Sequence, residues 1–305
     1  MTKGITAPLS ELIALKRFAE ATCPRPKTHS ARDGLHLTPL RGRGMDFAEV
    51  RHYQAGDELR HMEWRVTART GKPHIKLYQE ERERTVILLT DFNPSMYFGT
   101  RCAFKSVIAA RLSALLAWTV VAEGDRIGAL LFSDKTHQEF LPQSREQAVL
   151  PLLAALERYT ETVPSHPAAP PQPFSHALKR VRHVLRPGNL VLLLSDFYSL
   201  DKDCEHQLIR IRQHNDVLAY HVHDPLETTP PPPGSYGITD GNTTATLDLQ
   251  CAPIEAAYRR WCDAHHANIQ DTFQRAHIAL VTVPTDSDLP PLIHRTFARK
   301  KHANT

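Results

Sequence analysis

Asp91, Asn93 and Ser95 stand on alternate positions directly after the apolar run Val86-Ile87-Leu88-Leu89. Three oxygen-bearing side chains at that spacing, at the end of a strand, can be aimed at one point in space. A second apolar run, Leu190 to Ser195, ends in Asp196 in the same way. Parallel α/β sheets place ligand sites at the carboxyl ends of strands, where the winding reverses. If these two strands are neighbours there, two carboxylates and two neutral oxygens share one crevice. Adjacent carboxylates repel unless a cation or a proton separates them. Every donor in the set is oxygen, so the chemistry suits a hard ion: magnesium first, with manganese or calcium as alternatives. The same residues allow a plainer reading, in which Asp91 and Ser95 cap the helix that follows.

The elements that must hold these residues can be read from periodicity. Leu9 to Ala21 repeats apolar positions at helical spacing and ends before Pro24 and Pro26. Lys72 to Glu80 alternates like a half-exposed strand. From Thr85 onward strands and helices alternate: strand Val86 to Thr90, helix Ala103 to Ala122, strand Arg126 to Phe132. The connection to the next strand, His137 to Leu141, is too short for a crossover helix, so that strand is expected antiparallel and at the sheet edge. Helices at Arg145 to Tyr159, Phe174 to Leu185, Glu205 to His214 and Ile254 to Ala276 separate strands at Leu190 to Ser195, Asp216 to Val222 and Ile278 to Val283. The expected fold is a doubly wound, mostly parallel α/β sheet with one antiparallel edge strand. In that order the first and fourth strands become neighbours at the reversal.

Two units follow. Residues 1–84 hold the N-terminal helix and a Gly- and Arg-rich cover of irregular and β structure. Residues 85–305 form the α/β domain, with a Pro-rich insertion at 225–253 whose two β-like runs flank the hairpin signal Asp240-Gly241. The chain of 305 residues can bury a substantial core. A net charge of +4 does not argue for nucleic acid. Five scattered cysteines without a CxxC pair fit a reducing compartment, and the N-terminus lacks the apolar core of a signal peptide. No apolar run reaches the roughly 20 residues of a membrane span. The expected location is cytoplasmic.

The spacing Asp91-x-Asn93-x-Ser95, with Asp196 after a later apolar strand, resembles the metal-ion-dependent adhesion site of von Willebrand factor A domains. Those domains carry DxSxS, a threonine on an intermediate loop and an aspartate after the fourth strand. Asn93 replaces the first serine of that motif, and Gln172-Pro173 stand where the threonine is expected. The segment from Gly42 and Gly44 through Asp46-Phe47, Arg51-x-Tyr53, Gly56-Asp57, Arg60, Trp64 and Arg69 is similar to the signature of the bacterial domain of unknown function 58 family, which precedes a von Willebrand A-like domain. Leu194-Ser195-Asp196-Phe197 and Asp224-Pro225-Leu226-Glu227 extend the match.

The resemblance implies a non-enzymatic adaptor that works with a MoxR-type AAA+ ATPase, and with other von Willebrand A-like proteins, in protein maturation or complex assembly. It implies a cation on Asp91, Asn93, Ser95 and Asp196 whose open position takes a partner's carboxylate. Charge and hydropathy, read by themselves, lead to the expectation of no nucleic-acid partner and no direct membrane span. Read from chemistry alone, Arg51, Arg60 and Arg69 can pair with Asp57, Glu49 or Glu63, while Tyr53, Trp64 and Phe47 pack on the sheet domain. The alternative function is a metal-dependent phosphoester hydrolase at the same crevice, with Asp91 as its nucleophile or base. His221-x-His223 reads as a satisfied histidine pair, lacking further zinc ligands.

Overall fold

The computed structural model describes residues 4–22, 36–38, 45–54, 57–162, 172–239 and 244–293. The N-terminal periodic stretch forms two short helices, α1 (Leu9–Ala14) and α2 (Lys16–Thr22), rather than one. Three strands follow, β1 (His36–Thr38), β2 (Met45–His52) and β3 (His74–Arg82), with the short helix α3 (Trp64–Thr70) between the last two. They form a small antiparallel sheet in the order β1-β3-β2. The expected strand and irregular cover is therefore more regular than its glycines suggest, because β2 pairs along its length with β3.

The main domain starts with β4 (Thr85–Asp91) and α4 (Lys105–Ala122), followed by β5 (Arg126–Phe132), β6 (His137–Gln143) and α5 (Glu146–Glu161). Next come α6 (Phe174–Val184), β7 (Leu190–Ser195), α7 (Lys202–Arg212) and β8 (Asp216–His223). The chain closes with β9 (Ser235–Thr239), β10 (Thr244–Asp248), α8 (Ala252–Arg275) and β11 (Ala279–Pro284). β9 and β10 pair as the antiparallel arms of the expected hairpin, whose Asp240-Gly241 turn lies outside the described residues.

The six-stranded sheet runs β11-β8-β7-β4-β5-β6. All pairings are parallel except β5 with β6, the edge strand that the short connection required. β4 and β7 are neighbours, with Thr90 opposite Leu194, so the winding reverses between the two strands that end in Asp91 and Asp196. Side-chain alternation sorts the core into two layers. Val86, Leu88, Leu192 and Leu194 face α4, while Ile87, Leu89, Val191 and Leu193 face α6 and α7.

α4 is enclosed along almost its whole circumference, between the sheet and the α2 and α5 helices. By length and composition it is the one described helix that could cross a bilayer, but 83% of it is buried in the fold, which accounts for its apolarity. The N-terminal helices are part of this layer. The Trp118 indole donates to the Leu12 carbonyl at 3.0 Å, the Ala7 N–H donates to Thr160 Oγ1 at 3.0 Å, and Arg111 pairs with Glu11 at 2.5 Å.

Candidate functional site

Asp91 ends β4 with no solvent exposure. Its Oδ1 accepts the Asn93 N–H at 2.8 Å and its Oδ2 accepts the Ser195 hydroxyl at 2.7 Å. The Ser195 contact ties the ends of the two central strands together. Burial, followed by the neighbouring Asp196 charge, pushes the Asp91 carboxyl up to about 7.

The Asn93 side chain is spent on the loop that precedes α6. Its amide donates to the Gln172 carbonyl at 3.2 Å and to Ser199 Oγ at 3.4 Å, and its oxygen accepts the Gln172 N–H at 3.2 Å. Ser95 is half-buried in the 3-10 turn Pro94–Met96. Gln172 Oε1 is buried without a partner. The structure thus brings Asp91, Asn93, Ser95 and Asp196 to one end of the sheet, as the strand order requires, and commits three of them to protein partners.

Asp196 follows β7 and is also fully buried. The next residue, Phe197, is in the left-handed region at φ 58, a conformation that costs a non-glycine residue free energy. Its ring is held among Phe174, Phe273 and His221, and its N–H bonds Ser195 Oγ at 2.8 Å. That turn aims the Asp196 carboxylate at the start of α4.

Lys105 waits there, at the first position of the helix. Its Nζ lies 2.8 Å from Asp196 Oδ2 and 2.5 Å from Glu227 Oε1, with the side chain 1% exposed. The ammonium also stands 4.9 Å from the Tyr198 ring centroid and 5.8 Å from that of Phe98. Burial works against its charge, yet the two carboxylates outweigh burial and hold its pKa above the ordinary lysine value. Glu227 in turn accepts the Asp224 N–H at 2.8 Å, and burial raises its carboxyl despite Lys105.

Asp224 fastens the surrounding loops. It accepts the Thr100 hydroxyl at 2.6 Å, the Thr100 N–H at 2.9 Å and the Thr285 hydroxyl at 3.0 Å. Burial alone would raise its carboxyl, but these hydrogen bonds hold it below the usual value.

The magnesium expectation can be weighed against this arrangement. A hard dication on Asp196 would meet an ammonium already 2.8 Å from that carboxylate, in a setting where like charges repel strongly. The Asn93 side chain and both oxygens of Asp91 are already held by protein hydrogen bonds, which fix their directions without an ion. One unpartnered neutral oxygen, Gln172 Oε1, does not offset that. As placed, these residues do not fit the implied ion.

Lys105 and Glu227 have no part in the metal reading of the sequence. A lysine at the start of a mostly apolar helix, whose other charged residue is Arg111, was the available signal, since a buried lysine requires an acidic partner. The aromatic residues beside the Lys105 cluster, which form the rim of this end of the sheet, also escape periodicity. Tyr198 stacks on His265 with centroids 3.9 Å apart and on Trp261 at 5.9 Å, while Trp261 and Phe98 are 50% and 41% exposed.

The arginine-rich signature lies on the small sheet. Arg51 pairs with Asp57 at 2.7 Å as expected, whereas Arg60 takes Glu58 at 2.5 Å and Glu63 takes Lys76 at 2.6 Å. Tyr53 is half-buried and Arg69 is exposed in the last turn of α3. The expected packing of Trp64 on the sheet domain is corrected: the indole, at the start of the short helix α3, is 68% exposed. Gly42, Gly44 and Gly56 lie outside the described residues, as do the side chains of Asp46, Phe47 and Glu49.

His221 and His223 are buried as a packed pair, joined by the His266 ring at 5.2 and 5.8 Å.

The family profile described as "Protein of unknown function DUF58" matches residues 49–268. Uncharacterised proteins of Mycobacterium tuberculosis and Mycobacterium bovis are each 28% identical over 295 residues, covering 96% of this chain and 91% of theirs. Among solved structures, the conserved hypothetical protein BatB from Bacteroides thetaiotaomicron is 13% identical, covering 72% of this chain and 98% of its own, at a TM-score of 0.43. The SpRpn10 VWA domain is 10% identical, with 70% and 94% covered, at 0.37.

Proposed function

The chain belongs to the DUF58 family, and from that premise we propose that it is a non-enzymatic adaptor that docks a protein partner on the rim of the crevice. The resemblance names a MoxR-type AAA+ ATPase as that partner, in maturation or assembly of other proteins, with further von Willebrand A-like proteins in the same complex.

The observation that carries the adaptor reading is the contrast between floor and rim. The floor is closed on itself: Asp91, Asn93, Asp196, Lys105 and Glu227 satisfy one another or neighbouring backbone. The rim presents aromatic surface, with Trp261 and Phe98 exposed and Tyr198 stacked behind Trp261. Partly exposed aromatics around a rigid polar centre are typical anchors of protein interfaces. The hydrolase alternative would use Asp91, but that carboxylate has no exposure and both of its oxygens are engaged.

The test is co-precipitation of the full chain with the purified MoxR-type ATPase of the same organism, with and without nucleotide. Capture by the wild type and its loss in Trp261→Ala and Phe98→Ala support the reading. Equal capture by all three chains, or no capture by any, overturns it.

A further inference from the structure

The crevice at the β4 and β7 ends needs positive charge, since Asp196 and Glu227 converge there, beside the buried Asp91, with almost no solvent to screen them. The chain supplies that charge from within. Lys105 sits at the first position of α4, where its backbone is fixed by a bond from its own N–H to the Phe98 carbonyl at 2.8 Å and by the bond from the Phe104 N–H to the Gly4 carbonyl at 2.8 Å. A cation at a helix N-terminus opposes the helix dipole, so nothing local favours it there. Its stabilisation comes from Asp196 and Glu227, and the rings of Tyr198 and Phe98 close over it.

We propose that Lys105 is the resident cation of this crevice, standing in for the divalent ion that the resemblance implied, so that the site keeps its shape and charge without metal. Asp196 and Glu227 are its counter-ions and positioning partners. The side chain joins the start of α4 to the loop after β7 and to the turn after β8. In a metal-bound site that linkage would come from the ion. The inference does not depend on the adaptor reading, because it concerns the isolated chain.

The experiment uses the purified full chain and Mn2+ as the probe. Equilibrium dialysis and thermal unfolding are measured with Mn2+ and with a chelator, for the wild type and for Lys105→Ala. The wild type should bind no stoichiometric Mn2+ and unfold at the same temperature in both conditions. Lys105→Ala, with Asp196 and Glu227 left uncompensated, should gain Mn2+-dependent stabilisation and bind Mn2+ at least about tenfold more tightly than the wild type.

A second measurement requires no variant. In the native wild type Lys105 should resist an amine-acetylating reagent, read residue by residue by mass spectrometry, and should resist it equally with and without Mn2+. One equivalent of Mn2+ bound by the wild type, or Mn2+-dependent acetylation of Lys105, would show the ammonium displaced by metal and overturn the proposal.

Discussion

The Nζ of Lys105 lies 2.8 Å from Oδ2 of Asp196, with the two side chains 1% and 0% exposed. Such a pair is costly to assemble and more costly to break, because removing one member strands the other charge away from water. Lys105→Met should therefore destabilise the fold by about 3–5 kcal/mol. Urea unfolding at neutral pH measures this. A loss no larger than the roughly 1 kcal/mol of an exposed pair would mean that water reaches the crevice and screens it.

Asp91 sets one side of the pH dependence. Its carboxyl is raised from 3.8 to about 7 by burial and by the Asp196 charge, so the folded state binds this proton more tightly than the unfolded chain does. The resulting stabilisation is complete below about pH 4 and is lost as pH rises through about 7. Its size is on the order of a few kcal/mol. Asp91→Asn removes the titration, so unfolding midpoints of wild type and variant should diverge with rising pH in favour of the variant. Parallel curves across that range would refute it.

His221 acts in the opposite direction. Burial first, then the charges of His223, His266, His265 and Lys105, lower its pKa from 6.5 to about 2. The imidazole is neutral in the fold, and its contribution is present above about pH 6.5 and lost as pH falls toward 2. His223 and His265 are lowered for the same leading reason, burial. His221→Phe keeps an aromatic ring beside Phe197 and removes the titration. Acid unfolding followed by circular dichroism should begin at lower pH in the variant, and an unchanged midpoint would place the acid-labile step elsewhere.

Trp261 and Trp64 separate two interaction surfaces, the crevice rim and the small sheet. Both indoles are at least half exposed, so replacing either by alanine should change stability by no more than about 1 kcal/mol. Docking on the rim predicts that Trp261→Ala weakens ATPase capture at least about tenfold while Trp64→Ala leaves it intact. The reverse pattern would move the partner to the arginine-rich segment.

Much of this protein is written in local pattern. The runs Val86 to Thr90 and Leu190 to Ser195 are apolar on both faces, which requires layers on both sides of a parallel sheet, and the structure has α4 on one side and α6 and α7 on the other. The short link between Phe132 and His137 forces β6 to run antiparallel. These features depend on neighbours a few residues apart, so the sequence determines them alone. It also brings Asp91 and Asp196 to adjacent strand ends, because strand order follows from the connections.

The occupant of the space beside Asp196 is a different kind of fact. Lys105 and Asp196 are 91 residues apart, and Glu227 is 122 from Lys105. Neither spacing nor periodicity links them. Only the tertiary structure decides that a lysine at a helix start turns inward, because the gain from two buried carboxylates exists only once β7, β8 and α4 have been packed together.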